Sequence, residues 1–172
     1  TGSYNTALGD SALRLNTTAS NNTAVGYQAS YASSTGASNT AVGWRALTSN
    51  TASNNTSVGH QSLYDNTTGS YNTAVGQSAL ENNTTASYNI AVGYQAGYSN
   101  TTGAQNTIIG ETAGYSATTA IGNTFVGSDS GYLNTTGARN SFFGKNSGES
   151  ITTGSKNTIL GRYNGNQGGL DI

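Results

Sequence analysis

The chain has 172 residues, a mass of 17.4 kDa and a formal net charge of −1, and only 8% of its side chains are charged, against about 25% in an average soluble domain. It has no Pro, Cys or Met, but 24 Gly, 27 Thr and 22 Asn. Disulfide stapling, thiol catalysis and thiolate metal sites are excluded. No apolar run approaches the roughly 20 residues of a membrane span, so no membrane insertion is expected. The six Lys and Arg are scattered along the sequence and make no basic patch for nucleic acid. Leu, Ile, Val and Phe total only 25, too few for an ordinary core, yet the near-neutral charge is not that of a disordered chain.

Read from the N-terminus, an Asn-Thr-Ala-Val-Gly-like run opens at Asn5 and again at Asn22, Asn39, Asn55, Asn72, Asn89, Asn106, Asn123, Asn140 and Asn157. The spacing is 17 residues except for one of 16, between Asn39 and Asn55. A Gly follows each Asn by four residues, as at Gly26, Gly76 and Gly110. A constant short period is one coil of a solenoid, and 17 residues are too few for a helical repeat. The run itself is β-prone and ends in Gly. A second Thr-rich run follows about 11 residues later, as at Asn16-Thr17-Thr18, Asn66-Thr67-Thr68 and Asn134-Thr135-Thr136. The predicted fold is therefore all-β: a parallel β-roll or β-solenoid of ten coils, with two short strands and two turns each. Coils stacked at ~4.8 Å give a rod of about 48 Å. Residues 1–165 form the repeat domain, and 166–172 read as an exit segment towards a downstream domain.

Each column of the repeat has a structural expectation. The Asn column (Asn22, Asn72, Asn106) predicts an amide ladder. The Gly column (Gly26, Gly76, Gly110) predicts a corner with positive φ or no room for a Cβ. Two residues after the Asn the side chain is Ala or Ser, then Ile108, Phe125, Phe142 and Ile159; three after it stand Val, Leu, Ile or Phe. Neighbouring strand residues point to opposite faces, so both faces are largely apolar. One face fills the roll, and the other needs a partner. A side-by-side homotrimer is expected. The residue eight after the Asn is Leu in four of the early coils and Gly from Gly97 onward. That predicts one packed layer in which Phe125 and Phe142 fill space vacated by Leu.

Candidate chemistry is sparse. The seven carboxylates fall at different offsets, and no pair recurs from coil to coil. No cofactor, metal site or catalytic constellation is expected, and the chain reads as non-enzymatic. One column holds Tyr27, Trp44, His60, Gln77 and Tyr94. Tyr27, Trp44, His60 and Tyr94 could contact a receptor or glycan, or they could stack only because the coils do. A second column, Tyr31, Tyr64, Tyr98, Tyr115 and Tyr132, reads as wedging turns or seams. Two Thr columns resemble ice-binding faces, with β-propensity and hydroxyl ladders as the plainer explanation.

The unit Asn-Thr-Ala-Val-Gly-x-x-Ala (22–29, 39–46, 72–79) is similar to the repeat of trimeric autotransporter adhesin heads. That resemblance implies a trimer of left-handed parallel β-rolls. The longer stretch 89–103, Asn-Ile-Ala-Val-Gly-Tyr-Gln-Ala-Gly-Tyr-Ser-Asn-Thr-Thr-Gly, resembles arrays in tail fibres of marine and cyanobacterial phages, and 161–172 resembles a fibre segment leading into later fibre or chaperone domains. The opening residues match the tail of a repeat, as in an excerpt from a longer fibre. The resemblance implies a rigid trimeric rod at a virion tail or extracellular surface, presenting or forming a surface for a host glycan or protein receptor. The alternatives are a bacterial adhesin head and an ice-binding β-solenoid.

Overall fold

In the computed structural model, which describes residues 2–165, every coil contributes one three-residue strand immediately after its Asn. The strands are β1 (Thr6–Leu8), β2 (Thr23–Val25), β3 (Thr40–Val42), β4 (Thr56–Val58), β5 (Thr73–Val75), β6 (Ile90–Val92), β7 (Thr107–Ile109), β8 (Thr124–Val126), β9 (Ser141–Phe143) and β10 (Thr158–Leu160). They form one ten-stranded parallel sheet in sequence order. The expected exit segment, 166–172, lies outside the described residues. The fold is the expected β-solenoid, with each residue standing over its equivalent in the next coil; Ala24 pairs with Ala41, and Phe125 with Phe142.

The second expected strand does not form. The Thr-rich run is a bend in every described coil that contains it. Its N–H groups still bond to the next coil, but Thr67 and Thr68 both donate to the Thr84 carbonyl, at 2.9 and 3.2 Å. Successive N–H groups of an extended strand point to opposite sides. Convergence on one acceptor requires a tight bend, so β-propensity yields here to the turn.

The 16-residue coil keeps its strand register, Thr40 opposite Thr56. The shortening is absorbed in the bend, where the Asn50 amide bonds to Ala52 two residues on, against three for Asn66 to Gly69.

The interior is narrow. The second residue of strands β2 to β10 points inward and is buried, from Ala24 to Phe142 and Ile159. Opposite stand Leu47, Leu63 and Leu80, then Gly97, Gly114, Gly131 and Gly148. These are one packed layer, as expected. A Cβ added to Gly131 would lie 2.9 Å from the Phe125 ring, and one on Gly148 would enter the Phe142 ring. The same position is left-handed whether Leu or Gly occupies it: φ is 54° at Leu47, 50° at Leu80 and 64° at Gly131. A left-handed non-Gly residue costs about 1–2 kcal/mol, so burial of the Leu side chain holds it there.

The Gly corner is also as expected. Gly26, Gly76 and Gly110 have φ of 128°, 135° and 138°. The carbonyl of the next corner Gly occupies the space a Cβ would need, leaving 2.5 Å at Gly26. Both conditions, positive φ and close backbone approach, operate at one position.

Candidate functional site

In-register stacking turns every sequence column into a surface or core stripe. The Asn column becomes a staggered ladder from side chain to backbone. The Asn72 N–H donates to Asn55 Oδ1 at 2.9 Å, while Asn72 Nδ2 donates to the Ala86 carbonyl at 2.8 Å. Asn22 and Asn106 repeat the pattern, through Asn5 and Gly36 and through Asn89 and Ala120. Each amide thus satisfies the start of one coil and the end of another. The expected direct bonding between side chains is secondary: Asn106 to Asn89, Asn123 to Asn106 and Asn157 to Asn140 are joined at 3.2, 3.3 and 3.0 Å.

A true amide ladder lies elsewhere, in the Asn column that opens the Thr-rich runs, of which the sequence reading names Asn66. Asn66 Nδ2 donates to Asn50 Oδ1 at 2.7 Å, Asn83 to Asn66 at 2.8 Å, and Asn100 to Asn83 at 2.7 Å. All four are fully buried. The run ends at Ala117, and Ile151 follows Asn134 in the same column; Asn100 Oδ1 and both polar atoms of buried Asn134 are left without a partner. The signal available in the sequence was the recurrence of Asn 11 residues after the first.

The outer face of the sheet carries the first and third strand residues. The third forms a continuous apolar stripe through Val25, Val42, Val58, Val75, Val92, Ile109, Val126 and Phe143, with Val75 and Val92 each 36% exposed. The first forms a Thr stripe through Thr23, Thr40, Thr56, Thr73, Thr107 and Thr124, interrupted by Ile90. Their hydroxyls bond to nothing in the described chain. The Thr column of the bends differs: Thr67, Thr84 and Thr101 each donate to the carbonyl of the next coil, at 2.9–3.1 Å.

The structure brings together three of the four candidate contact residues. Trp44 stacks on His60 at 4.6 Å and lies over Tyr27 at 6.2 Å. Tyr94 stands apart, separated by Gln77 and in no ring pair. The Arg45 guanidinium lies 4.6 Å from the Trp44 ring centre, and its Nε donates to Gln28 at 2.8 Å. Because the rings cover one another's faces, a ligand at the Trp44 stack meets mainly ring edges. Tyr98, Tyr115 and Tyr132 form a second, half-buried ladder at 5.2 Å. Burial, with the neighbouring Tyr98 and Tyr132, raises the Tyr115 hydroxyl above its ordinary range.

No group of three or more metal-ligating side chains occurs among the described residues, and no helix there is long and apolar enough to cross a membrane. No protein-family model matches the chain, and no curated protein or solved structure is significantly similar to it.

Proposed function

We propose that the chain is a structural, non-enzymatic fibre segment of the phage tail-fibre kind: a stiff rod that associates side by side as a homotrimer and holds a receptor-contacting surface away from the particle. The observation that carries this reading is the apolar stripe on the outer face of the sheet. It runs the length of the rod at one residue per coil. An uninterrupted exposed apolar stripe favours contact with another protein surface. Identical copies packed side by side supply a matching stripe at the same spacing. A bacterial surface adhesin head would use the same rod and the same stripe. Light scattering on the purified chain is expected to give three chains per particle, and Val75→Lys with Val92→Lys to dissociate it. A stable monomer at micromolar concentration overturns the reading.

A second reading is favoured by one observation. The free Thr hydroxyls and the Val methyls form two parallel rows on a single sheet, as an ice-binding solenoid requires. A trimer packed through that face hides it, so the two readings compete. Thermal hysteresis by a monomer would support ice binding; its absence in a trimer would support the fibre.

A further inference from the structure

Four of the six Lys and Arg, scattered in sequence, are gathered by the fold at one end of the rod. Arg139 and Lys156 occupy the same column, immediately before the Asn, in the last two coils; Lys145 and Arg162 share the column immediately after the Gly. In-register pairing of β9 with β10 brings each pair into neighbouring coils, and the Lys156 N–H donating to the Ala138 carbonyl at 2.9 Å extends the register to Arg139 and Lys156; past Gly161 the register shifts, the Tyr163 N–H turning back to the Gly161 carbonyl, so Lys145 and Arg162 are neighbours without being held in register. The backbones of Arg139 and Lys156 are therefore one strand spacing apart, ~4.8 Å. Arg139 and Lys156 are the only like charges stacked in register in adjacent coils among the described residues. Like charges directly opposite each other are unfavourable, and no ion pair among the described residues relieves them. All four residues are exposed and engage in no ion pair. Glu149, a carboxylate of the same coil as Lys145, accepts from Asn146 instead.

We propose that the last two coils bind a polyanionic glycan, one bearing carboxylate or phosphate groups, through the stacked cations Arg139 and Lys156 and the neighbouring cations Lys145 and Arg162. The two columns flank the outer face of β9 and β10, six residues apart along the chain and so within ~20 Å of each other. They lie at the margins of that face and stay at the rim if copies pack through it. A repeating anionic polymer can neutralise both pairs at once, which a single small anion cannot. Four cations are fewer than the roughly 6–10 phosphate contacts typical of tight duplex binding, and no exposed aromatic stack adjoins them to take bases, as single-strand binding requires. The whole chain carries a net charge of −1, so attraction to a polyanion must be local rather than global.

The test uses the full chain over surfaces bearing a polyuronate, a poly(glycerol phosphate), neutral dextran, duplex DNA or polyglutamate. Retention is expected on at least one of the two anionic glycans and not on dextran, weakening as salt rises. Comparing the two glycans shows whether carboxylate or phosphate is read. Arg139→Gln/Lys156→Gln and Lys145→Gln/Arg162→Gln should each weaken retention by about tenfold, whereas Arg14→Gln/Arg45→Gln at the other end should not. The swap Arg139→Lys/Lys156→Arg should retain binding. No retention on either glycan, equal loss from the distant pair, or tighter retention on DNA or polyglutamate would overturn the proposal. Light scattering on the same variants keeps this outcome separate from the oligomeric state.

Discussion

The coils opening at Asn39, Asn55 and Asn72 fill their interior with Leu47, Leu63 and Leu80, opposite the small strand residues Ala41, Ser57 and Ala74. Those opening at Asn106, Asn123 and Asn140 reverse the arrangement, with Ile108, Phe125 and Phe142 on the strand and Gly114, Gly131 and Gly148 opposite. The backbone is unchanged: the position opposite the strand stays left-handed throughout. Total volume is therefore conserved while the side that supplies it is free. The second arrangement puts bulk where β-propensity favours it and gives the left-handed position to Gly. The first has the compensating asset of an unbroken buried amide ladder from Asn50 to Asn100, which the second half loses at Ala117.

The largest effect should come from breaking the exchange of bulk. Phe142 is fully buried and stacks on Phe125 at 5.2 Å. Phe142→Ala should cost about 3–5 kcal/mol in denaturant unfolding. Adding Gly148→Leu recreates the first-half arrangement and should recover about 2 kcal/mol. A double variant no more stable than the single would end the idea that the halves are interchangeable.

Next is the corner that both halves share. Gly76→Val meets positive φ and the Gly93 carbonyl together, so a loss of about 2–4 kcal/mol is expected. Gly127→Val should match it. A marked difference between the two would place the contrast in the backbone rather than in the side chains.

Ala117→Asn should sharpen the comparison in the other direction. It offers partners to Asn100 Oδ1 and Asn134 and should stabilise the second half by about 1–3 kcal/mol. A lower melting temperature would mean that the column has no room for the amide.

The smallest effect concerns Asp65 in the first half. Burial raises its carboxyl above the usual 3.8. Folding thus disfavours its ionisation, and the penalty is absent below pH ~3.8 and grows as pH rises through the raised value. Asp65→Asn should raise the melting temperature slightly at pH 7, with the gain vanishing in acid. A gain that persists at low pH would assign the effect to something other than charge.

The columns were legible because a parallel solenoid stacks equivalents, so period alone predicts neighbours. The facing of Ala24 and Val25, the constraint on Gly76 and the exchange between Phe142 and Gly148 all follow from that. The second strand was misread because Thr67-Thr68 has β-propensity, whereas its fate was decided by the bend through Asn66, whose amide bonds back to Gly69. The left-handed Leu47 and Leu80 were illegible, since Leu does not advertise positive φ and only burial keeps it there. Of the candidate contact residues, stacking of Tyr27, Trp44 and His60 could be read from their column. The gathering of Arg139, Lys145, Lys156 and Arg162 needed the register of both flanking columns at once.

The bonds that join coils span about one coil, 17 residues from Asn72 to Asn55 and from Thr67 to Thr84, and 16 from Asn55 to Asn39 at the short coil. Interaction range therefore does not grow with the length of the rod. Tension applied between its ends is carried by every coil, but a terminal coil yields first, because it has a neighbour on one side only. The rod should peel one coil at a time at nearly constant force, each event releasing about 17 residues of slack, up to ~55–60 Å of extended chain. A force–extension trace should be an even sawtooth, with a shorter tooth where Asn39 leads to Asn55. Such a filament dissipates a pull gradually, and the coils not yet peeled remain folded.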